Sequence, residues 1–429
     1  MKKLIVFSTK RLSVILLLIS FSFALSSVSH AFLRGDIDND EKIGLPEAVH
    51  ALQAVAGLRV VTSGKIINIP GEFSTIQEAI DAASEGDTIN VAAGTYTGTL
   101  SIVDKRILLQ GAGKDNTILS VSGTGTINDP NVVYIKRSLV EITGFQIRNG
   151  HQGISAIDSG VACKDSRIEY NFVGFAPAFN SRLEIANAQF KHNTRDGIHI
   201  SRTSSAYIHD SELMNNGRDG LNVWQGSSAE IRDCTISNNA RRGICVANSS
   251  SIFLERNSVN LNGERGVGIF HSSSGQLGGG NSISNNTRDG IAIGWDSSLI
   301  MGFATAYNQE NGVDTISQNG ENGILVYFSS SLNAAGGNIL NNTQRGIRVF
   351  PACSIYLTGC SISNNSLEGV LLHSNSHCMF ASPNPTISAN EGCGVSYSDG
   401  TAWNPNLITF GTGDNANEGG NLCCYDCPE

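Results

Sequence analysis

The sequence predicts an all-β chain wound as a right-handed parallel β-helix solenoid, and three observations carry that expectation. A skeleton Asn-x-x-x-Gly recurs at Asn193/Gly197, Asn216/Gly220, Asn239/Gly243, Asn262/Gly266, Asn286/Gly290, Asn319/Gly323, Asn342/Gly346, Asn365/Gly369 and Asn390/Gly394, in steps of 23, 23, 23, 24, 33, 23, 23 and 25 residues. A period in this range is the signature of a solenoid or a propeller. The positions one and three after each Gly are apolar, as in Ile198/Ile200, Leu221/Val223 and Ile291/Ile293, and a period of two puts both inside a coil. Each unit also carries apolar positions ahead of its Asn, such as Ile208 and Leu213, and a serine-rich turn such as Ser204-Ser205, which implies three faces per coil. Right-handed crossovers are the default for parallel strands. Roughly fifteen rungs about 4.8 Å apart would make a rod about 70 Å long. The 429 residues therefore need no division into several globular domains, because each unit buries its core against its neighbours.

Taken in order, the chain opens with Lys2, Lys3, Lys10 and Arg11, an apolar run from Leu12 to Leu25, and Ser29-His-Ala31 before Phe32. That order reads as a signal peptide over residues 1–31, and the run is shorter than the roughly 20 apolar residues of a spanning helix. The expected destination is secreted, periplasmic or cell-surface, with no transmembrane segment after signal removal. Those 31 residues carry four positive charges and no negative one, so their removal takes the formal charge from −9 to −13. Such a balance argues against a nucleic-acid partner, and also against a strongly anionic glycan unless a cation bridges the two. All ten cysteines lie at or beyond Cys163, where export makes disulfides permissible. The tail 411–429 ends in Cys423-Cys424-x-x-Cys427, which reads as a disulfide-stapled tail in preference to a metal site.

Residues 36–47 place Asp36, Asp38, Asp40, Lys42 and Glu47 at positions 1, 3, 5, 7 and 12 of a loop. A Ca2+ loop needs side-chain oxygens at alternate early positions, a backbone carbonyl at the seventh, which Lys42 supplies, and a bidentate Glu that closes the shell. The segment 32–60 thus resembles an EF-hand, and the run through Glu47-Ala-Val-His-Ala-Leu to Gly57-Leu-Arg is similar to half of a dockerin module. The resemblance implies a Ca2+ cofactor and a cohesin-type partner. Two departures weigh against that partner and for modest affinity: Glu41 stands where the sixth position usually has Gly, and a dockerin carries two such segments where one is visible.

The repeat region is expected over 65–410. Ile66 to Pro70 reads as a strand; Ser74-Thr-Ile-Gln77 then offers a capping box to a helix whose Ile76, Ala79, Ile80 and Ala83 share one face and which Gly86 ends. A parallel coil exposes an open apolar end, and this helix is the expected cap. Strands follow from Thr88, Leu100, Ile107, Val132 and Val140. The segment Thr75-Ile-Gln-Glu-Ala-Ile-Asp-Ala-Ala-Ser-Glu-Gly-Asp-Thr-Ile89 is similar to the opening of many pectin-lyase-like β-helices. That resemblance implies the fold and not an activity, since the fold carries lyases, hydrolases, esterases, epimerases and passive binders. The Asp-Pro-His of mannuronan epimerases is absent, and Gly150-His151-Gln152 is not the Gly-His-Gly of polygalacturonases.

Within a unit, the Gly is expected to adopt a turn conformation closed to β-branched residues, and the Asn to stack on the Asn of the next rung. Function is then expected where the repeat stops repeating, at the outward positions two and four after the Gly. The fourth position reads Ser201, Trp224, Ala247, Phe270, Gly294, Tyr327, Phe350 and His373, and rings dominate it. Outward rings can stack on the C–H faces of sugars. The candidate carbohydrate-binding set is therefore Trp224, Phe270, Tyr327 and Phe350, with His199, Asn222 and Arg348 from the second position as polar partners. Asp196 and Asp219 would lie one rung apart and so could form a glycosidase pair. Arg242, Arg265 and Arg345 fill the same column, however, so the column reads as solvated ion pairs. The step of 33 implies an insertion within Ile300 to Asp314 that could wall a groove. The function expected is an exported Ca2+-binding protein that binds extracellular or cell-envelope polysaccharide. The alternatives are a polysaccharide lyase, glycoside hydrolase or uronate epimerase, and a structural surface or adhesion protein.

Overall fold

The computed structural model of the chain describes residues 64–302, 312–404, 408–410 and 416–424. The chain divides into two compact units, Met1–Leu58 and Arg59–Glu429, and the described residues all belong to the second. The expected signal peptide, the EF-hand-like segment and most of the Ile300–Asp314 insertion lie outside them. No helix among them is long and apolar enough to cross a membrane.

The repeat builds three parallel sheets. The first has 15 strands, from Ile66–Ile69 to Ala402–Trp403; the second has 14, from Gly94–Thr97 to Thr409–Phe410; the third has 14, from Leu100–Val103 to Leu422–Cys424. One coil shows the plan: Ile198–Ile200 lies in the third sheet, Ser205–His209 in the first and Glu212–Met214 in the second, before the chain turns through Asn216 into the next rung. Equivalent residues sit directly above one another, Ile198 on Leu221 and Leu221 on Ile244. The apolar positions one and three after the Gly point into the coil as expected, and Ile198, Ile200, Leu221 and Val223 are fully buried. Ile208 and Leu213 complete the same core from the other two sheets. Burying each such side chain is worth roughly 1.5–3 kcal/mol, and the core continues from rung to rung as one column.

Hydrogen-bonded ladders hold the turns. The backbone N–H and the Nδ2 of Asn216 both donate to Oδ1 of Asn239, at 3.1 and 2.9 Å, and Nδ2 also donates to the Phe190 carbonyl. The arrangement repeats upward through Asn262, Asn286, Asn319 and Asn342, so the expected asparagine stack is present. A serine ladder runs along the turn between the third and first sheets, where the N–H of Ser204 donates to Ser227 Oγ and that of Ser227 to Ser250 Oγ.

The ladder glycines differ from the expectation in cause. Their φ values lie outside the left-handed region, and the left-handed residue is the one before each Asn, such as Asn215 and Asn238 at φ 55°. What the glycine lacks is room: a Cβ on Gly220 would lie 2.7 Å from Asn239 Nδ2 and 2.8 Å from the Gly243 carbonyl oxygen. The asparagine stack and the absence of a side chain beside it are one device.

Helix α1 spans Ile76–Ala82 and buries Ile76, Ala79 and Ile80 in the common core. Its capping box is Thr75 with Glu78, one residue later than the Ser74/Gln77 box expected, because the Glu78 carboxylate accepts from the N–H of Thr75 while Thr75 Oγ1 accepts from that of Glu78. The helix ends at Ala83, before Gly86. At the other end a disulfide joins Cys393 to Cys423. Cys163, Cys234, Cys245, Cys353, Cys360 and Cys378 are buried and free, and the described residues contain no cluster of metal-ligating side chains.

Candidate functional site

The outer face of the third sheet is where the repeat varies most. Its floor is the column two after the ladder Gly, with Asn222 above His199, and Cys245 and Gly268 beyond. A trough of about 530 Å³ crosses the rungs from Gln152 to Gln225 on this face. His199, Asn222 and Trp224 line it together with Ser155, Ala176 and Ser201; Arg195 and Arg218 flank it from one turn, and Phe179 and Arg202 from the other. Ile127 adds a wall. It comes from the long connection between Ser120 and Val133, which is tied down where Thr194 Oγ1 donates to the Gly125 carbonyl at 2.8 Å. The insertion expected to wall a groove, Ile300–Asp314, lies mostly outside the described residues; the wall seen here comes from earlier rungs, and its signal was the unusual spacing of the strands on either side of it.

Beneath the trough lies the aspartate column, and its environment overturns the solvated reading. Asp196 and Asp219 are fully buried. Each is held by one oxygen, Asp196 Oδ1 accepting the N–H of Asp219 at 3.3 Å and Asp219 Oδ1 that of Arg242 at 3.2 Å. The second oxygens accept no hydrogen bond. Asp196 Oδ2 lies 3.4 Å from both His199 Nδ1 and Arg195 Nε, and Asp219 Oδ2 lies 3.5 Å from Arg218 Nε and 3.9 Å from Arg242 Nη1. Burial, with Asp196 one rung away, pushes the Asp219 carboxyl above the usual carboxylate range against the pull of Arg242 and Arg218. Burial also lowers the His151 imidazole, and Arg195 adds to that effect against Asp129. Unsatisfied buried polar atoms are rare in folded proteins and call for an explanation wherever they gather. Asp196, His199, Arg218, Asp219, Asn222 and Arg242 each contribute one here.

The ring column continues from the trough. Trp224, half-buried, packs against a second apolar cluster of Cys245, Ala247, Phe270 and Ala292 that is separate from the coil interior. Large and small residues alternate, so rings lie across glycines: a Cβ on Gly268 would meet the Phe270 ring at 2.5 Å, and one on Gly294 the Tyr327 ring at 2.5 Å. Phe270 is therefore only 5% exposed, and Asn222 1%. Both were expected to face a ligand; Phe270 points away from the coil but is covered by its neighbours, and Asn222 lies in the trough floor with almost no exposed surface. Tyr327 is half-buried, and burial raises its phenol above the usual range. Phe350 packs against the main core, stacks on His373 at 4.9 Å and carries the Arg348 guanidinium at 4.6 Å.

The accessible rings lie one position further on, a column that the two-and-four reading passed over. Trp295 is 39% exposed and Phe328 57%. Trp295 stacks on His271 at 4.8 Å and meets Phe328 at 5.2 Å and Tyr327 at 5.0 Å. The buried ring of Phe270 and the half-buried one of Tyr327 thus prop the exposed faces of Trp295 and Phe328 along the rim.

A family model described as "right handed beta helix region" matches residues 130–297 and 280–410. No match is found among curated proteins. Solved structures similar to the chain include the A-module of a mannuronan C-5 epimerase from Azotobacter vinelandii, 15% identical over 81% of this chain and 94% of that one, with a TM-score of 0.47. Others are a pectate lyase, 14% identical over 62% of this chain and 76% of that one at a TM-score of 0.36, and an α-1,3-glucanase catalytic domain, 12% identical over 84% and 68% at 0.40. Those activities belong to those proteins, and no property of this chain rests on them.

Proposed function

The chain belongs to the right handed beta helix region family, and we propose that it is an exported Ca2+-binding member whose third sheet binds an extracellular or cell-envelope polysaccharide. The observation that carries this reading is the continuity of one outward face. A trough bounded by loop and turn residues leads through Trp224 into a rim of propped rings, Trp295 and Phe328. Exposed rings backed by packed neighbours present flat apolar faces at little entropic cost, which suits the C–H faces of sugar rings. Binding to a glycan panel tests it: Trp224→Ala and Trp295→Ala should each weaken the best ligand about tenfold or more. If both variants and Tyr327→Ala keep every affinity of the parent chain, the face is not the binding site. The Ca2+ part of the proposal rests on Asp36, Asp38, Asp40, Lys42 and Glu47 alone. Calcium titration of the full chain should lose one site in Asp36→Ala, and an unchanged isotherm removes it.

A second reading, that the trough is catalytic, is favoured by the approach of His199 Nδ1 to the buried Asp196 Oδ2 at 3.4 Å. A carboxylate behind an imidazole orients it for proton transfer at its other nitrogen. This reading predicts new reducing ends, unsaturated products or altered uronate stereochemistry from a bound glycan, all lost in His199→Ala. Silence across those assays with a ligand that does bind leaves the binding reading standing alone.

A further inference from the structure

We propose that the trough takes an acidic glycan chain and that its arginines hold the carboxylate or sulfate groups directly, with no cation bridging them. The inference rests on the reading that this face binds glycans, and it names their chemistry. Among the described residues, the ionisable side chains lining the trough are Arg195, Arg202, Arg218, His151 and His199, with no Asp or Glu. Two carboxylates nearby, Asp196 and Asp219, are fully buried below the floor, and a third, Asp129, acts on His151 from outside the lining. The shortest approaches of the buried two to Arg195 and Arg218 are at Nε, and no hydrogen bond of the described residues engages the terminal nitrogens of either guanidinium, which can form the fork that grips a carboxylate or sulfate.

The arginines are also pre-positioned. Arg202 lies over the Phe179 ring at 4.5 Å and Arg195 over Phe172 at 6.0 Å, and cation–π contact of this kind limits the freedom an arginine loses on binding. The charged side chains of the lining are thus all cationic, on a chain whose formal charge is −9, which for this face runs against what the overall charge suggested about anionic ligands. A bridging cation, by contrast, needs several oxygen ligands. The trough offers it no carboxylate, and both buried ones face arginine.

The test uses the full-length chain and three probes of similar length: oligogalacturonate as the carboxylated glycan, a carrageenan oligosaccharide as the sulfated one, and cello-oligosaccharide as the neutral one. Calorimetry is run in calcium and in EDTA, at low and at high sodium chloride. The expected result is binding of an acidic probe that weakens with salt and is the same in calcium and EDTA. Binding of one acidic probe identifies the group recognised, and binding of both establishes the shared anionic chemistry. The double variant Arg195→Gln/Arg218→Gln should lose about tenfold or more, while Arg195→Lys/Arg218→Lys, which keeps charge but not the fork, recovers part of it. Circular dichroism checks that the variants fold. Should the Gln variant not fold, salt dependence and EDTA resistance of the parent chain decide the matter alone. Equal binding of the neutral probe, or loss of acidic binding in EDTA, overturns this proposal and leaves glycan binding intact. Binding of none of the three overturns both.

Discussion

At the scale of single residues, the ladder side chains are set by unsatisfied groups more than by the contacts they add. Replacing Asn239 by Ala removes the acceptor for two donors of Asn216 and the donor to the Leu213 carbonyl, all buried. A buried donor left without a partner costs about 1–3 kcal/mol, so we expect Asn239→Ala to lower stability by roughly 2–3 kcal/mol, read as a lower denaturant midpoint at unchanged m-value. Asp219 should behave in the opposite way. Its carboxyl is raised in the folded chain above the ordinary 3.8, so below that pH both states are protonated and ionisation costs nothing. As pH rises, the unfolded chain ionises first and folding loses stability until the raised folded value is passed. Asn in place of Asp219 keeps the acceptor for the Arg242 N–H and removes the charge; Asn322 already fills this column, donating to Asp289 Oδ1 at 2.8 Å. Thermal melts of Asp219→Asn and the parent should therefore coincide near pH 3.5 and separate in favour of the variant toward neutrality. A variant that melts lower at neutral pH would mean that the pairs with Arg218 and Arg242 outweigh the desolvation of Asp219.

At the scale of elements, what the sequence made plain and what it hid follow from the range of the forces involved. The inward Ile and Val of each strand were legible because a period of two has one physical reading when one face is buried. The outward face was half legible. Trp224 lines the trough as a ring at position four should, whereas Phe270 is covered because Gly268 beneath it lets the ring lie flat, a fact settled by two residues' joint size and not by either alone. The basic lining of the trough was hidden for a related reason. Arg195 and Arg218 look like solvated members of a repeating charged column until Asp196 and Asp219 are known to be buried beneath them. Helix α1 shows the same limit at one residue's resolution, since Ser74 and Thr75 both precede a run of helix formers and both bond to Glu78. Thr75 holds the cap. Replacing it with Ala removes the acceptor for the Glu78 N–H and should cost about 1 kcal/mol, whereas Gln77→Ala, which tests the box first expected, should leave the helix cap intact. Because Gln77 also exchanges hydrogen bonds with the Ser101 backbone, the readout is hydrogen exchange at the Glu78 amide, which should quicken in Thr75→Ala and not in Gln77→Ala.

At the scale of the whole repeat array, stability is a sum over neighbouring rungs, and the unit of exchange is the rung and not the residue. Deleting Ala240 to Asn262 removes one period, joins Asn239 to Gly263 and recreates Asn-x-x-x-Gly with Gly266. Every inward position stays inward, and the asparagine and serine ladders close across the gap at the same spacing. The trough lies on earlier rungs, ending at Gln225, so it keeps its arginines and its floor. Such a chain should fold with strand-rich circular dichroism, melt cooperatively and still bind at the trough, with Trp295 brought one rung nearer to it. A deletion of half that length, Ala240 to Ser251, rejoins a second-sheet turn to a first-sheet strand, removing a third-sheet strand and leaving Asn239 beside a residue with no ladder role. It should expose the ends of two columns and either fail to express as a folded chain or melt far below the first. If the full-rung deletion unfolds as readily as the half-rung one, the array is held by something other than rung-to-rung stacking. The natural step of 33 residues between Gly290 and Gly323 argues for the first outcome, because the ladders pass across it unbroken, with Asn286 still donating to Asn319 Oδ1 at 3.0 Å.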